Sequence, residues 1–138
     1  MFDSAMKNTV APLILRLMLA AIFIYHGQLL VSKDKDWGAN WMPPNSGQPA
    51  AAQLAVAWGE LLGGVAMALG FLTRLAALGL IAIMAGAIHL VHWEHGFDLR
   101  QNGFEYNAAI IAMCLVLVLT GPGSVAVDRF FRVKRKPV

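Results

Sequence analysis

The sequence predicts an all-α fold, an integral membrane four-helix bundle. Of its 138 residues, 58% are hydrophobic and only 14% are charged, which is too apolar for an ordinary soluble domain. The apolar residues form four long runs, each near the ~20 residues that cross a ~30 Å hydrocarbon layer. The runs are too long for strands and do not alternate. Because helices satisfy their own backbone in lipid, a helical bundle follows.

The predicted spans cover residues 10–31, 50–72, 75–92 and 104–120, within a single transmembrane domain of residues 1–138. The first span contains Arg16 and is followed by no clear small-residue cleavage site, so we expect it to be retained rather than removed as a signal peptide. The link SKDKDWGANWMPPNSGQP is a polar surface loop, and Thr73 and Arg74 form a tight turn. The GPG motif ends the fourth span.

Lysine and arginine are distributed unequally between the two sides of this topology. With four spans, the termini and the second link share one side, which carries Lys7, Arg16, Arg74, Arg129, Arg132, Lys134, Arg135 and Lys136. The other side carries Lys33, Lys35 and Arg100. The positive-inside rule therefore predicts that both termini are cytoplasmic. The basic tail, residues 129–138, is expected to meet anionic lipid rather than nucleic acid.

Each predicted span carries one ionisable residue at a similar height. At ~1.5 Å per residue, His26, Glu60, His89 and Glu105 lie ~18–22 Å above the inner ends of their spans. An ionisable group in hydrocarbon costs several kcal/mol unless it is paired or hydrated. We therefore expect these four residues to form one pocket in the outer third of the bilayer, as its catalytic or binding groups. His92 is expected at the rim, with His95 facing water.

The same residues allow other interpretations. Histidine and carboxylate bind transition metals, so His26, Glu60, His89, His92 and Glu105 are candidate metal ligands. Alternatively, each is a structural residue: the histidines belong to wet helix ends, and Glu105 favours a helix N-terminus because of the dipole. Glu60 is the strongest functional candidate because apolar residues surround it on both sides in the sequence. Cys114 is the single cysteine, so dithiol chemistry by this chain alone is excluded.

Two further features predict packing. Arg16 lies within the first span near its inner edge, where it either reaches the lipid head groups or pairs with Asp128. Gly59 and Gly63 form a GxxxG motif, which predicts close contact between helices.

Five motifs occur in order along the chain: LILRLMLAAIFIYHG, WGELLGGVAMALGFLTRLAALGL, AIHLVH, GFEYNAAII and LTGPGSVAVD. On these motifs the sequence resembles the DoxX family of four-span membrane proteins through all four spans. The usual HGxxK of the family is replaced by HGQLLVSK, which places Lys33 later. The resemblance implies an inner-membrane protein associated with redox systems, such as thiosulfate–quinone oxidoreductase and membrane-linked detoxification complexes.

Three functions remain open at this point. The first is a redox-associated membrane protein, an oxidoreductase subunit whose pocket binds a quinone, a small substrate or a transition metal. Its carboxyl and imidazole groups would pass a proton, and its electrons would come from a redox partner protein or a bound cofactor. The second is a non-catalytic subunit that anchors or stabilises a complex. The third is a small transporter. All three predict contact with the lipid bilayer and a homo-oligomer or complex subunit, with no nucleic acid.

Overall fold

The computed structural model describes residues 2–132. The part of the basic tail that follows, including Lys134, Arg135 and Lys136, lies outside the described residues. The helices are α1 (Ala11–Leu30), α2 (Ala50–Leu69), α3 (Thr73–Ala87), α4 (Glu105–Thr120) and the short α5 (Asp128–Arg132). Shorter helical segments, Phe2–Ala5 and Met6–Val10, precede α1, and a π-helical turn, Ile88–His92, continues α3.

The membrane-spanning character predicted from the sequence is confirmed. Three continuous helical stretches, Asp3–Leu30, Ala50–Leu69 and Thr73–His95, are long and apolar enough to cross a bilayer. The fourth, α4, is apolar but has only 16 residues, or ~24 Å of helix. It is shorter because Gly121, with φ +83°, redirects the chain. Residues 121–127 then pass beneath the bundle instead of extending the span.

The four long helices pack as an up-and-down bundle. For reference, the loop end is where Leu30 and Ala50 lie, and the tail end is where Leu69 and Thr120 lie. The most extensive packing joins α1 to α2 and α3 to α4, and α2 also contacts α3. The buried core takes residues from every long helix, among them Leu19, Phe23, Met67, Leu80, Ile110, Cys114 and Leu117.

Glycines allow the closest approach between helices, at α1 and α2. A Cβ on Gly27 would lie 2.5 Å from the backbone nitrogen of Leu61, and one on Gly64 would lie 2.7 Å from the nitrogen of Ile24. The GxxxG pair has a different neighbour: Gly59 and Gly63 accept side chains of α3, those of Ile83 and Leu80. The motif thus permits a side-chain contact, whereas the backbone contact depends on two other glycines.

Arg16 organises the tail end of the bundle. Its side chain is 2% exposed, and its guanidinium donates at 2.5–3.1 Å to the backbone carbonyls of Met67, Ala68, Pro122 and Val125. These carbonyls belong to the last turn of α2 and to the 121–127 segment, where helical partners are missing. Both sequence alternatives for Arg16 are wrong: it neither reaches the surface nor forms an ion pair with the Asp128 carboxylate.

Asp128 has a capping role instead. Its two carboxylate oxygens accept from the backbone N–H groups of Leu72, at 2.6 Å, and Thr73, at 2.9 Å. These donors open α3, so the carboxylate satisfies unpaired N–H groups and complements the helix dipole. The C-terminal segment is therefore attached to the bundle through Asp128, and Arg16 attaches the loop that precedes it.

We predict that Arg16→Ala severely destabilises the protein. Four backbone carbonyls would lose a charged donor in a buried site, and the expected loss is about 3 kcal/mol or more. Thermal unfolding in detergent, followed by circular dichroism, measures it. Arg129→Ala is the matched control, since Arg129 is exposed. Equal stability of the two variants would contradict the structural role of Arg16.

Candidate functional site

A large cavity occupies the loop-end half of the bundle. Its volume is about 750 Å³, within the range of sites for small molecules. Residues from α1 to α4 and from both loop-end connections line it, and most of these side chains are apolar, such as Phe23, Val56 and Ile110. Polar side chains line it at a few positions: His26, Lys35, Trp41, Gln48, Gln53, Glu60, His92, Tyr106 and Asn107.

Glu60 is the buried acid of this cavity. Its side chain is 8% exposed, and it lies in α2 about 15 Å from the loop end of that helix. No hydrogen bond or ion pair joins its carboxyl group to another side chain or to the backbone within residues 2–132. Such a group is costly in an apolar environment unless something compensates it. The carboxyl is thus available to a ligand in the cavity.

Two histidines also line the cavity. His92 is half-buried, and its Nδ1 lies 2.7 Å from the backbone carbonyl oxygen of Asn102. His26 lies on α1, and its ring packs edge to face with the ring of Tyr25, with ring centroids 5.5 Å apart. The structure therefore places His26, Glu60 and His92 around one space, each from a different helix.

His89 and Glu105 do not line the cavity. His89 is exposed, on the π-helical turn. The carboxylate of Glu105 accepts from the backbone N–H of Leu99 at 2.9 Å, so it holds the connection before α4. The rise per residue gives the height of His89 and Glu105 along their helices. It does not give the side of the helix on which each side chain lies. His95 is exposed, with Nδ1 3.1 Å from the carbonyl of Val91.

The described residues do not group into a metal site. Within residues 2–132, no three histidine, cysteine, aspartate or glutamate side chains lie close enough to hold one ion. The candidate ligands that line the cavity are His26, Glu60 and His92, and the other two face elsewhere. The metal interpretation therefore has no support in the ligand geometry.

Sequence reasoning missed the uncharged polar residues of the cavity. Gln53 is buried, and its Oε1 accepts from the backbone N–H groups of Trp41 and Met42, both at 2.9 Å. Its Nε2 donates to the carbonyl of Gln48, and its own carbonyl accepts from the indole of Trp41. Gln53 thus holds the loop over the cavity. Its spacing of seven residues from Glu60, two helical turns on one face, was the available signal.

The connection before α4 forms the other cover of the loop end. Asp98 accepts from the side chain of Arg100 at 2.9 Å, and this bond lowers the pKa of the Asp98 carboxyl. Gly103 packs against this turn so closely that a Cβ would lie 2.5 Å from the carbonyl oxygen of Gly96. Both covers are therefore hydrogen-bonded segments of fixed shape.

Comparisons with known proteins identify relatives. The DoxX family profile matches residues 11–93. An uncharacterised protein of Haemophilus influenzae is 29% identical over 132 residues, which cover 89% of this chain and 84% of that protein. The inner membrane protein YqjF of Escherichia coli is 33% identical over 75 residues, covering 54% of this chain and 58% of YqjF. No solved structure matches.

We predict that Glu60→Met preserves or raises the stability of the fold. The variant removes a carboxyl without a protein partner and keeps a similar volume, so the gain is up to about 2 kcal/mol. Thermal unfolding in detergent measures it. Gln53→Met is the matched control on the same helix face, and its loss of three side-chain hydrogen bonds to the loop should cost about 1–3 kcal/mol. An equal loss in both variants would show that Glu60 belongs to a structural network.

Proposed function

The chain belongs to the DoxX family, and from that premise we propose that it serves a redox-associated membrane system by binding a lipid-soluble quinone in its loop-end cavity. It is a multi-pass protein of the inner membrane, as its apolar helices and its relative YqjF indicate. The observation that carries the proposal is the carboxyl group of Glu60, which lies inside a mostly apolar cavity without a hydrogen-bond partner among residues 2–132. A ligand for such a site has an apolar body and a polar group that reaches Glu60.

The walls of the cavity support entry from the bilayer. Leu90 and Val91 line it and are also 59% and 40% exposed, and Tyr106, which lines it too, is 37% exposed. The same short stretches of helix thus separate the cavity from lipid. A ligand dissolved in hydrocarbon would pass between them, whereas the loop held by Gln53 covers the polar side. A quinone, with an apolar tail and a ring carrying two oxygens, suits both features.

The proposed roles follow from position. Glu60 accepts or delivers the proton that accompanies quinone chemistry, because it is the buried acid of the cavity. His92 exchanges protons with the loop end, and His26 lines the α1 wall. Electrons would come from a redox partner protein, which docks on the chain as part of a complex. His89 and Glu105 have no part in this proposal.

Photoaffinity labelling tests the proposal. We expect an azidoquinone added to the full chain in lipid nanodiscs to label peptides of the cavity wall, such as residues 82–92, after illumination. An excess of unmodified quinone should abolish the label, and Glu60→Met should reduce it about ten-fold, equivalent to about 1.4 kcal/mol. Glu94→Gln, at an exposed loop position, is the matched control. Labelling spread over the lipid-facing helix surfaces, insensitive to competitor and to Glu60, would exclude a quinone site.

We also propose that the loop end faces away from the cytoplasm, with both termini inside. The excess of lysine and arginine at the tail end supports this orientation. Cysteines introduced at the exposed positions Asn40 and Arg132 test it in intact cells with an impermeant thiol reagent, since the native Cys114 is buried. Asn40→Cys should react and Arg132→Cys should not. The reverse pattern would invert the topology.

A further inference from the structure

The polar groups that surround the cavity differ in whether they can still donate or accept a hydrogen bond with a ligand. The Nδ1 atom of His92 lies 2.7 Å from the backbone carbonyl oxygen of Asn102. A carbonyl oxygen only accepts, so Nδ1 carries the proton of this bond. In the neutral ring the other nitrogen, Nε2, is then an acceptor.

Asn107 also presents a hydrogen-bond acceptor. Its side chain is buried, and its Nδ2 donates to the sulfur of Met84 at 3.4 Å. The amide nitrogen is thereby directed at Met84, and the carbonyl oxygen of the amide receives no hydrogen bond from another described residue. That oxygen is an acceptor without a donor.

Glu60 is the third acceptor. Neither carboxyl oxygen has a partner within the described chain, and in either protonation state at least one of them accepts. Glu60, Asn107 and His92 stand on α2, α4 and the turn after α3, and all three line the same cavity. A head group in this cavity therefore has hydrogen-bond acceptors on three different elements of the bundle.

The free donors of the cavity stand mainly on the loop that covers it, where the side-chain amide of Gln48 and the ammonium group of Lys35 line it. The indole N–H of Trp41 donates to the backbone carbonyl of Gln53, and the side-chain amide of Gln53 donates to the backbone carbonyl of Gln48. Both hydrogen bonds hold the loop. Lys35 lies on the loop after α1, at the edge of the cavity, and it is an obligate donor. The Tyr106 hydroxyl and the His26 ring can donate or accept.

We infer that the cavity recognises a head group that supplies hydrogen-bond donors, and that it therefore prefers a dihydroxy quinol ring to the corresponding quinone. The inference rests on the proposed function and adds the redox state of the ligand. A quinone presents two carbonyl acceptors, which cannot bond to the acceptors of Asn107 and His92 and bond to Glu60 only when its carboxyl is protonated. A quinol presents two O–H donors to the same groups. Sites with fixed polar groups discriminate strongly against ligands that lack the matching partner.

Equilibrium binding under anaerobic conditions tests the inference. A short-chain ubiquinone and its reduced quinol are titrated separately into the full chain in nanodiscs, and quenching of tryptophan fluorescence reports binding, since Trp41 lines the cavity. We expect the quinol to bind about ten-fold tighter or more. In Glu60→Gln the preference should shrink towards equal affinities, because an amide supplies a donor as well as an acceptor. Asn107→Leu should weaken quinol binding through a second acceptor, and Glu94→Gln should change nothing.

The results of this titration distinguish the preference for a quinol from the presence of a quinone site. Equal affinities in the unaltered protein, or tighter binding of the quinone, would overturn the donor preference and leave a quinone site in place. Absence of binding by both forms would overturn the site itself and the inference with it. A quinol preference that persists undiminished in both Glu60→Gln and Asn107→Leu would also overturn the inference, since the recognition would then arise elsewhere.

Discussion

The buried guanidinium of Arg16 is the interaction on which the arrangement of the bundle depends. A helix that ends inside a protein leaves carbonyls without partners, and Arg16 supplies donors to those of α2 and to the 121–127 segment at once. Asp128, a few residues later, supplies acceptors to the first N–H groups of α3. One cation and one anion thus join every long helix at the tail end, each through backbone groups rather than through each other.

Fixing one end of the bundle leaves the other end free to enclose a cavity. At the loop end, hydrogen bonds hold the two connections that cover the cavity. The side chain of Gln53 bonds to the first connection, and the backbone N–H of Leu99 donates to Glu105 in the second. Not every polar group beneath these covers is then needed to hold the fold together. Glu60 is the clearest case, a buried acid whose carboxyl group has no hydrogen-bond or ion-pair partner among residues 2–132 and which lines the cavity.

The sequence predicts the apolar membrane helices because lipid imposes a length on every helix that crosses it. It locates Glu60 as the exceptional acid for the same reason, since a carboxyl in hydrocarbon requires an explanation. It does not predict the partners of Arg16, because those are carbonyls exposed by turns that only the fold creates. His89 and Glu105 lie at a height similar to that of Glu60 along their helices, but they lie on sides of those helices that do not line the cavity. Gln53 and Asn107 escape a search for charges because amides carry none.

If the loop-end cavity holds a lipid-soluble ligand in contact with Glu60, the protein should carry that ligand with it from its own membrane. The chain would be purified in mild detergent, extracted with organic solvent and analysed by mass spectrometry, with Glu60→Met purified in parallel. We expect a quinone or quinol at about one molecule per chain in the unaltered protein and strongly depleted in the variant. The same lipid profile in both, with no quinone above the level of a membrane protein of similar size, would contradict it.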